Sequence, residues 1–341
     1  MNTTEPAGVS NSTRSAVLPR PRRRTGRRAG LAVPRVLLGL GLLAWLIAGV
    51  VGVWRYLDGY LVYRGFPPPV TPAGIAPGTT ETFHFFSPAL HRQSAALVYL
   101  PPGYAQAAAR GQRFGVLYLL HGAPGTAANV FNAGAAARDA NVLIHAHRMA
   151  PMLLVAPYGL QGFGGDTEWA NAGRGPYETY ILDVVRAVDR AFATKADRAH
   201  RVLAGDSEGA YGAANVALGH LPVFGGFQSW SGYFTETPTG TFAGASPSTI
   251  AANSPRTYVS RLAPQIRRLG LHAYVYAGRQ DTHGLAQMRR FVPELGAAGA
   301  QVGSGAYPGG HDWGLWRAQM PRMLILASRW MAGTGGQGAS R

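Results

Sequence analysis

The sequence predicts an α/β protein: a mostly parallel central sheet with helices on both faces, preceded by one N-terminal transmembrane helix. Three observations carry this. From about residue 81 to 332, short apolar runs alternate with segments of helical periodicity, the pattern of parallel strands joined by crossover helices. One of those runs, Arg201–Ala204, leads into Gly205-Asp206-Ser207-Glu208-Gly209 and then into a small-residue helical stretch. Upstream, Val36 to Trp54 is 19 residues without a charge, bracketed by Arg35 and Arg55. At about 1.5 Å per residue that run spans the hydrocarbon of a bilayer.

Taken in order, residues 1–35 form a basic tail. Eight arginines, among them Arg20, Arg22, Arg23, Arg24, Arg27 and Arg28, stand against one acid, Glu5. Bulky apolar residues are few, so the tail is expected to be disordered. The anchor is expected over 36–57. Many arginines before it and few charges after it put the N-terminus in the cytoplasm and the remainder outside. Trp54, Tyr56, Tyr60 and Tyr63 read as an aromatic belt at the far interface. A cleavable signal peptide is the competing reading, with Arg27-Arg28 open to a twin-arginine role. The apolar run exceeds the usual core of ~7–15 residues and no small-x-small site follows it, which favours a retained anchor in the cell membrane.

Phe66-Pro67-Pro68-Pro69 through Pro77-Gly78 reads as a semi-extended linker, giving 58–80 as a spacer, 81–332 as the folded domain and 333–341 as a flexible Gly-rich tail. Strands are expected at Ala95–Leu100, Phe114–Leu120, Met152–Ala156, Arg201–Ala204, Gly226–Trp230, His272–Ala277 and Gln301–Tyr307. Tyr177, Tyr180, Ile181, Val184, Val185, Val188 and Phe192 recur at helical spacing, with Glu178, Asp183, Arg186 and Arg190 on the wetter side. A last helix is expected from Trp313 to Met331.

Composition excludes several classes. There are no cysteines, so disulfides, thiolate zinc sites and a thiol nucleophile are ruled out. The net charge of +16 is nearly all arginine, Lys195 being the one lysine, and much of it sits in the tail. Without a basic stripe interleaved with aromatics, a membrane-flanking tail explains this charge better than nucleic-acid binding. His145 and His147 alternate, but no carboxylate or third histidine stands at ligand spacing, and no metal site is expected.

A bare Gly-x-Ser-x-Gly is a weak signal in a chain with 46 glycines. Here a strand precedes it and a helix follows, which makes Ser207 the serine of a nucleophile elbow. The base is expected at His311, on the loop after the last strand, where Gly309 and Gly310 free the backbone; His283 is the reserve. His84, His91, His200, His220 and His272 read as surface or packing residues. Asp281 closes the strand-to-loop segment from Tyr274 and is the candidate carboxylate; Asp312 should point elsewhere and Asp206 should be held inside the elbow. The order Ser207, Asp281, His311 is that of the α/β-hydrolase fold. The oxyanion donors are expected to be the N–H of Glu208 and that of Ala123, in the loop Leu119-Leu120-His121-Gly122-Ala123-Pro124-Gly125, with His121 structural.

Val98-Tyr99-Leu100-Pro101-Pro102-Gly103-Tyr104, the Leu120-His121-Gly122 loop, Tyr177-Glu178-Thr179, the Ser207 elbow and Gly310-His311-Asp312-Trp313 together resemble an esterase family of α/β-hydrolases. It includes the esterase D-like S-formylglutathione hydrolases, feruloyl, acetylxylan and enterochelin esterases, and the related secreted mycolyltransferases. The resemblance covers about 81–332 and implies cofactor-free acyl-ester chemistry through an acyl-serine. Two departures stand out: Gly209-Ala210 where two glycines are usual, and Asp281 where mycolyltransferases generally carry Glu.

The expected function is thus a membrane-anchored, extracytoplasmic serine esterase acting on acyl esters, with envelope lipids or acylated glycans as plausible substrates from location alone. The alternatives are an acyltransferase of the mycolyltransferase type, with a sugar or lipid acceptor, and a non-catalytic tethered binding domain. For specificity, Trp169 in Gly164–Asn171 either lines the acyl pocket or packs its loop. The stretch from Trp230 to Pro255 reads as a loop or small cap over the site.

Overall fold

The computed structural model describes residues 32–160 and 165–333. Most of the basic tail, Arg27-Arg28, Gly164 and the C-terminal tail from residue 334 lie outside the described residues. The chain divides into two compact units at Arg55/Tyr56. In the first, the described part is helical, belonging to α1 (Ala32–Tyr63). The segment Val36–Tyr63 is long and apolar enough to cross a membrane, with a mean hydropathy of 2.5. Its large side chains, Trp45 and Leu46 among them, are exposed, unlike those of a core helix. The helix runs past residue 57, the expected end of the anchor, to Tyr63.

The second unit is built on eight strands: β1 (Thr79–Ser87), β2 (Arg92–Leu100), β3 (Val116–Leu120), β4 (Leu153–Pro157), β5 (Arg201–Asp206), β6 (Gly226–Trp230), β7 (His272–Gly278) and β8 (Gln301–Tyr307). The helices that matter for the site are α2 (Ala127–Asn132), α3 (Ala136–His145), α4 (Tyr177–Ala191), α5 (Glu208–Gly219), α6 (Thr282–Ala298) and α7 (Trp313–Met331). Strand order is β1-β2-β4-β3-β5-β6-β7-β8. The β1–β2 and β2–β4 pairs are antiparallel, and β4 through β8 run parallel.

The central strands are continuous apolar runs because both faces are covered. Val116, Tyr118 and Leu120 of β3 point to one core, with Leu203, Phe227, Val275, and Tyr180, Ile181 and Val184 of α4. Leu117 and Leu119 point to the other, with Val202, Trp230, Leu143 of α3, and Met320, Met323 and Leu324 of α7. This alternation is the period of two of a strand. Parallel strands leave their carboxyl ends on one rim, and β5, β7 and β8 each deliver a loop there.

Two further features differ from expectation. β1 is an additional edge strand, paired along its whole length with β2. Asp183, expected on the wet side of α4, is buried. Its Oδ2 accepts from Ser87 Oγ at 2.7 Å and Ala89 N at 2.8 Å, and its Oδ1 accepts from Arg186. Those bonds tie the β1–β2 turn to the helix and compensate the cost of burying the carboxylate.

Candidate active site

The elbow follows from close backbone approach. A Cβ on Gly205 would lie 2.4 Å from Gly209 O and 2.5 Å from Leu120 O, and one on Gly209 would lie 2.0 Å from Leu120 O. Only glycine lets β5 turn into α5 against the end of β3. Ser207, at the turn, has φ 54° and ψ −117°, a strained backbone for a residue with a side chain. The turn is held by Ser207 N donating to Trp230 O at 3.0 Å.

Ser207 Oγ lies 2.8 Å from His311 Nε2. His311 Nδ1 lies 2.9 Å from Asp281 Oδ2. Asp281 is buried, and its Oδ1 accepts from Gly284 N at 2.9 Å, capping α6. With an ionised Asp281 accepting from Nδ1–H, Nε2 is left as the acceptor for the serine hydroxyl. The ring of His311 meets Trp316 edge-on, centroids 5.3 Å apart. Asp312 faces away and caps α7, accepting from Leu315 N and Gly310 N, each at 3.1 Å. His283, the reserve base, is exposed in the first turn of α6.

Gly122 packs directly on the serine: a Cβ there would lie 2.9 Å from Ser207 Cβ and 2.8 Å from Asp206 Oδ2. Gly122 N donates to Asp206 Oδ2 at 3.1 Å, fixing the loop after β3 to the elbow. Burial pushes the Asp206 carboxyl up to about 7. Ala123 follows in this loop and lines the cleft beside Ser207, and Glu208 opens α5. Among the described residues, no protein acceptor takes the N–H of Ala123 or of Glu208. His121 is buried between Gly122 O and Gly159 N, and burial lowers its imidazole to about 4, so it is neutral.

A family model described as "Putative esterase" matches residues 87–327. The chain belongs to this esterase family. Its sheet order and crossover helices are those of the α/β-hydrolase fold. An endo-1,4-beta-xylanase/feruloyl esterase of Xylanibacter ruminicola is 29% identical over 166 residues. That match covers 47% of this chain and 22% of the much longer relative. A solved ferulic acid esterase superposes with a TM-score of 0.66 at 24% identity, covering 75% of this chain and 99% of that one. An S-formylglutathione hydrolase from Staphylococcus aureus gives 0.58 at 19%, covering 77% and 99%. At these identities the two structures share the fold.

The cleft of this esterase over Ser207 has a volume of about 510 Å³. Trp169 is not among its lining residues. It is fully buried, donates from Nε1 to His121 O at 3.0 Å, and is so tightly packed that a Cβ on Gly212 would fall 2.6 Å from its own Cβ. The stretch after Trp230 also stays off the cleft. It packs on α5, where Tyr211 Oη donates to Asn253 O at 2.6 Å and stacks on Tyr233.

Two groups lie outside the sequence expectations. Tyr60, Arg64 and Phe66 line the cleft; Tyr60 reads from sequence as part of an interfacial belt, and no local motif marks the other two. The second group is a set of acids, the buried Glu168, Glu208 and Glu236 and the half-buried Asp166. Glu208 Oε1 accepts from Thr167 N at 2.8 Å and Thr167 Oγ1 at 2.9 Å, while its Oε2 is buried with no partner. Burial, reinforced by Asp166, pushes Glu208 up to about 8. Burial and then the charges of Glu236 and Asp166 raise Glu168 further, and Tyr233 Oη donates to its Oε2. Burial thus favours the protonated form of Glu168, Glu208 and Glu236, and raises Asp166 as well.

Proposed function

We propose that the protein is a membrane-anchored, extracytoplasmic serine esterase that hydrolyses acyl esters through an acyl-Ser207 intermediate. The observation that carries this is the hydrogen-bonded sequence Ser207–His311–Asp281, 2.8 Å and 2.9 Å, opening into a cleft at the carboxyl ends of β5, β7 and β8. Ser207 Oγ attacks the ester carbonyl as His311 Nε2 takes its proton. Asp281 holds the imidazole in the productive tautomer and stabilises the imidazolium. The N–H groups of Ala123 and Glu208 hold the oxyanion. Collapse breaks the ester C–O bond, and His311 returns the proton to the leaving alcohol. Water then attacks the acyl-serine by the same route, releasing acid and restoring Ser207.

The location rests on the Val36–Tyr63 helix, read as a retained anchor with its N-terminus cytoplasmic. That places acyl esters of envelope lipids or glycans within reach, and the feruloyl esterases among its relatives add aromatic acyl esters to the classes to screen. A mycolyl-type transfer to a sugar or lipid acceptor uses the same acyl-serine. A product assay with an ester donor and saturating acceptor separates the two, since release of free acid alone identifies a hydrolase. The test of the reading itself is turnover of 4-nitrophenyl acyl esters by wild type and Ser207→Ala. A loss of several orders of magnitude is expected, because the three residues act as a unit; turnover near the wild-type rate would refute it.

A further inference from the structure

We infer that Arg64, held in a wall of the Ser207 cleft with Tyr60 and Phe66, selects ester substrates that carry a carboxylate or phosphate. The inference rests on the serine-esterase reading above and adds a substrate class to it. The family match begins at residue 87, so this wall stands outside the segment shared with the family.

The wall is built, not incidental. The last carbonyls of a helix lack intrahelical donors. Asn129 of α2 supplies them, its Nδ2 donating to Leu61 O at 2.7 Å and Val62 O at 3.0 Å. Arg64 then takes a left-handed conformation, φ 54°, while its N–H closes on Tyr60 O at 2.6 Å. Arg64 Nη2 donates to Pro124 O, in the loop that carries Ala123, and to Asn129 Oδ1 at 3.5 Å. Phe66 is clamped by the guanidinium of Arg317, 4.8 Å above its ring. Arg317 is itself fixed by Ala133 O at 2.8 Å.

Among the described residues Arg64 has no ion-pair partner, though its charge acts on the buried Asp206 carboxyl of the same cleft, against the raising effect of burial. Its Nε is buried without a partner. The acids that line the cleft, Asp206 and Asp312, make no ion pair with Arg64, although Asp206 Oδ1 is buried without a partner. Asp312 spends both oxygens on Leu315 N and Gly310 N, and Asp206 turns Oδ2 to Gly122 N. Glu208 directs its carboxyl to Thr167. A guanidinium fixed at a cleft wall without an ion-pair partner is suited to meet a carboxylate or phosphate. Tyr60 and Phe66 add apolar surface beside it for the body of such a substrate.

The test uses full-length protein in detergent, as wild type, Arg64→Gln and Arg64→Lys, with Ser207→Ala as control. Two ester pairs are compared by kcat/KM: mono-4-nitrophenyl succinate against 4-nitrophenyl butyrate, and 4-acetoxyphenyl phosphate against 4-methylphenyl acetate. The first pair places the charge on the acyl side, the second on the alcohol side. In at least one pair the anionic-to-neutral ratio should fall tenfold or more in Arg64→Gln, mainly through KM, with Arg64→Lys retaining part of the preference. A smaller change in both pairs, or an equal loss in Arg64→Lys, overturns the role of Arg64. Activity surviving in Ser207→Ala would instead overturn the nucleophile on which the inference rests.

Discussion

Asn129 Nδ2 donates to Leu61 O at 2.7 Å, tying the end of α1 to the short helix that follows the Ala123 loop. The same side chain accepts from Thr126 N at 2.9 Å, so one residue serves both segments. Asn129→Ala removes bonds worth about 0.5–1.5 kcal/mol each. The segment around Arg64 should loosen, and trypsin should cut after Arg64 faster than in wild type. The peptide ending at Arg64, followed by mass spectrometry, reads this; an unchanged cleavage rate would show that the segment is held by other contacts.

Asp281 does two jobs that substitutions can separate. Asp281→Asn keeps an oxygen for Gly284 N but loses the charge facing His311 Nδ1. We expect kcat to fall roughly ten-thousand-fold with Tm nearly unchanged. Asp281→Ala should also lose the cap, at about 1 kcal/mol. Steady-state kinetics and thermal melts on both variants check this, and full activity in Asp281→Asn would remove Asp281 from the relay.

Asp183 anchors the β1–β2 turn to α4. Asp183→Ala leaves Ser87 Oγ and Ala89 N without their acceptor in a buried setting. A loss of about 1–3 kcal/mol in unfolding free energy is expected, measured by denaturant titration. A change within error would mean that water or a shifted turn satisfies both donors.

Glu208 gives a pH dependence of known sign. Its folded pKa, about 8, lies above the ordinary 4.5. Between those values the folded state holds a proton that the unfolded state has released, so stability falls as pH rises. The contribution is fully present below 4.5 and lost once pH passes about 8. Glu208→Gln can still accept from Thr167 through its amide oxygen and cannot ionise. Its Tm should therefore decline less than that of wild type from pH 5 to 8. Parallel curves for the two proteins would contradict the assignment.

Much of the fold was legible because its central strands are buried on both sides. Gly226–Trp230 and Gln301–Tyr307 have the expected bounds, and Trp313–Met331 begins where Asp312 caps it. β1 was not legible: it is an edge strand whose residues Thr79 to Thr82 are exposed, so no apolar run marks it. Asp183 was misplaced because helical spacing cannot reveal a partner such as Ser87, far away in sequence. The elbow was readable from its two glycines, whose missing Cβ atoms are required by Leu120 O. The Arg64 wall was not, since Pro124 and Asn129 hold it from some sixty residues downstream. Trp169 illustrates the same limit, as spacing alone left pocket and packing equally open.

The most direct measurement is covalent labelling of the folded, full-length protein with a fluorophosphonate, followed by mass spectrometry of the modified peptide. The account predicts label on Ser207, absent in Ser207→Ala and strongly reduced in His311→Ala. Label on another residue, or none on folded protein, would contradict it.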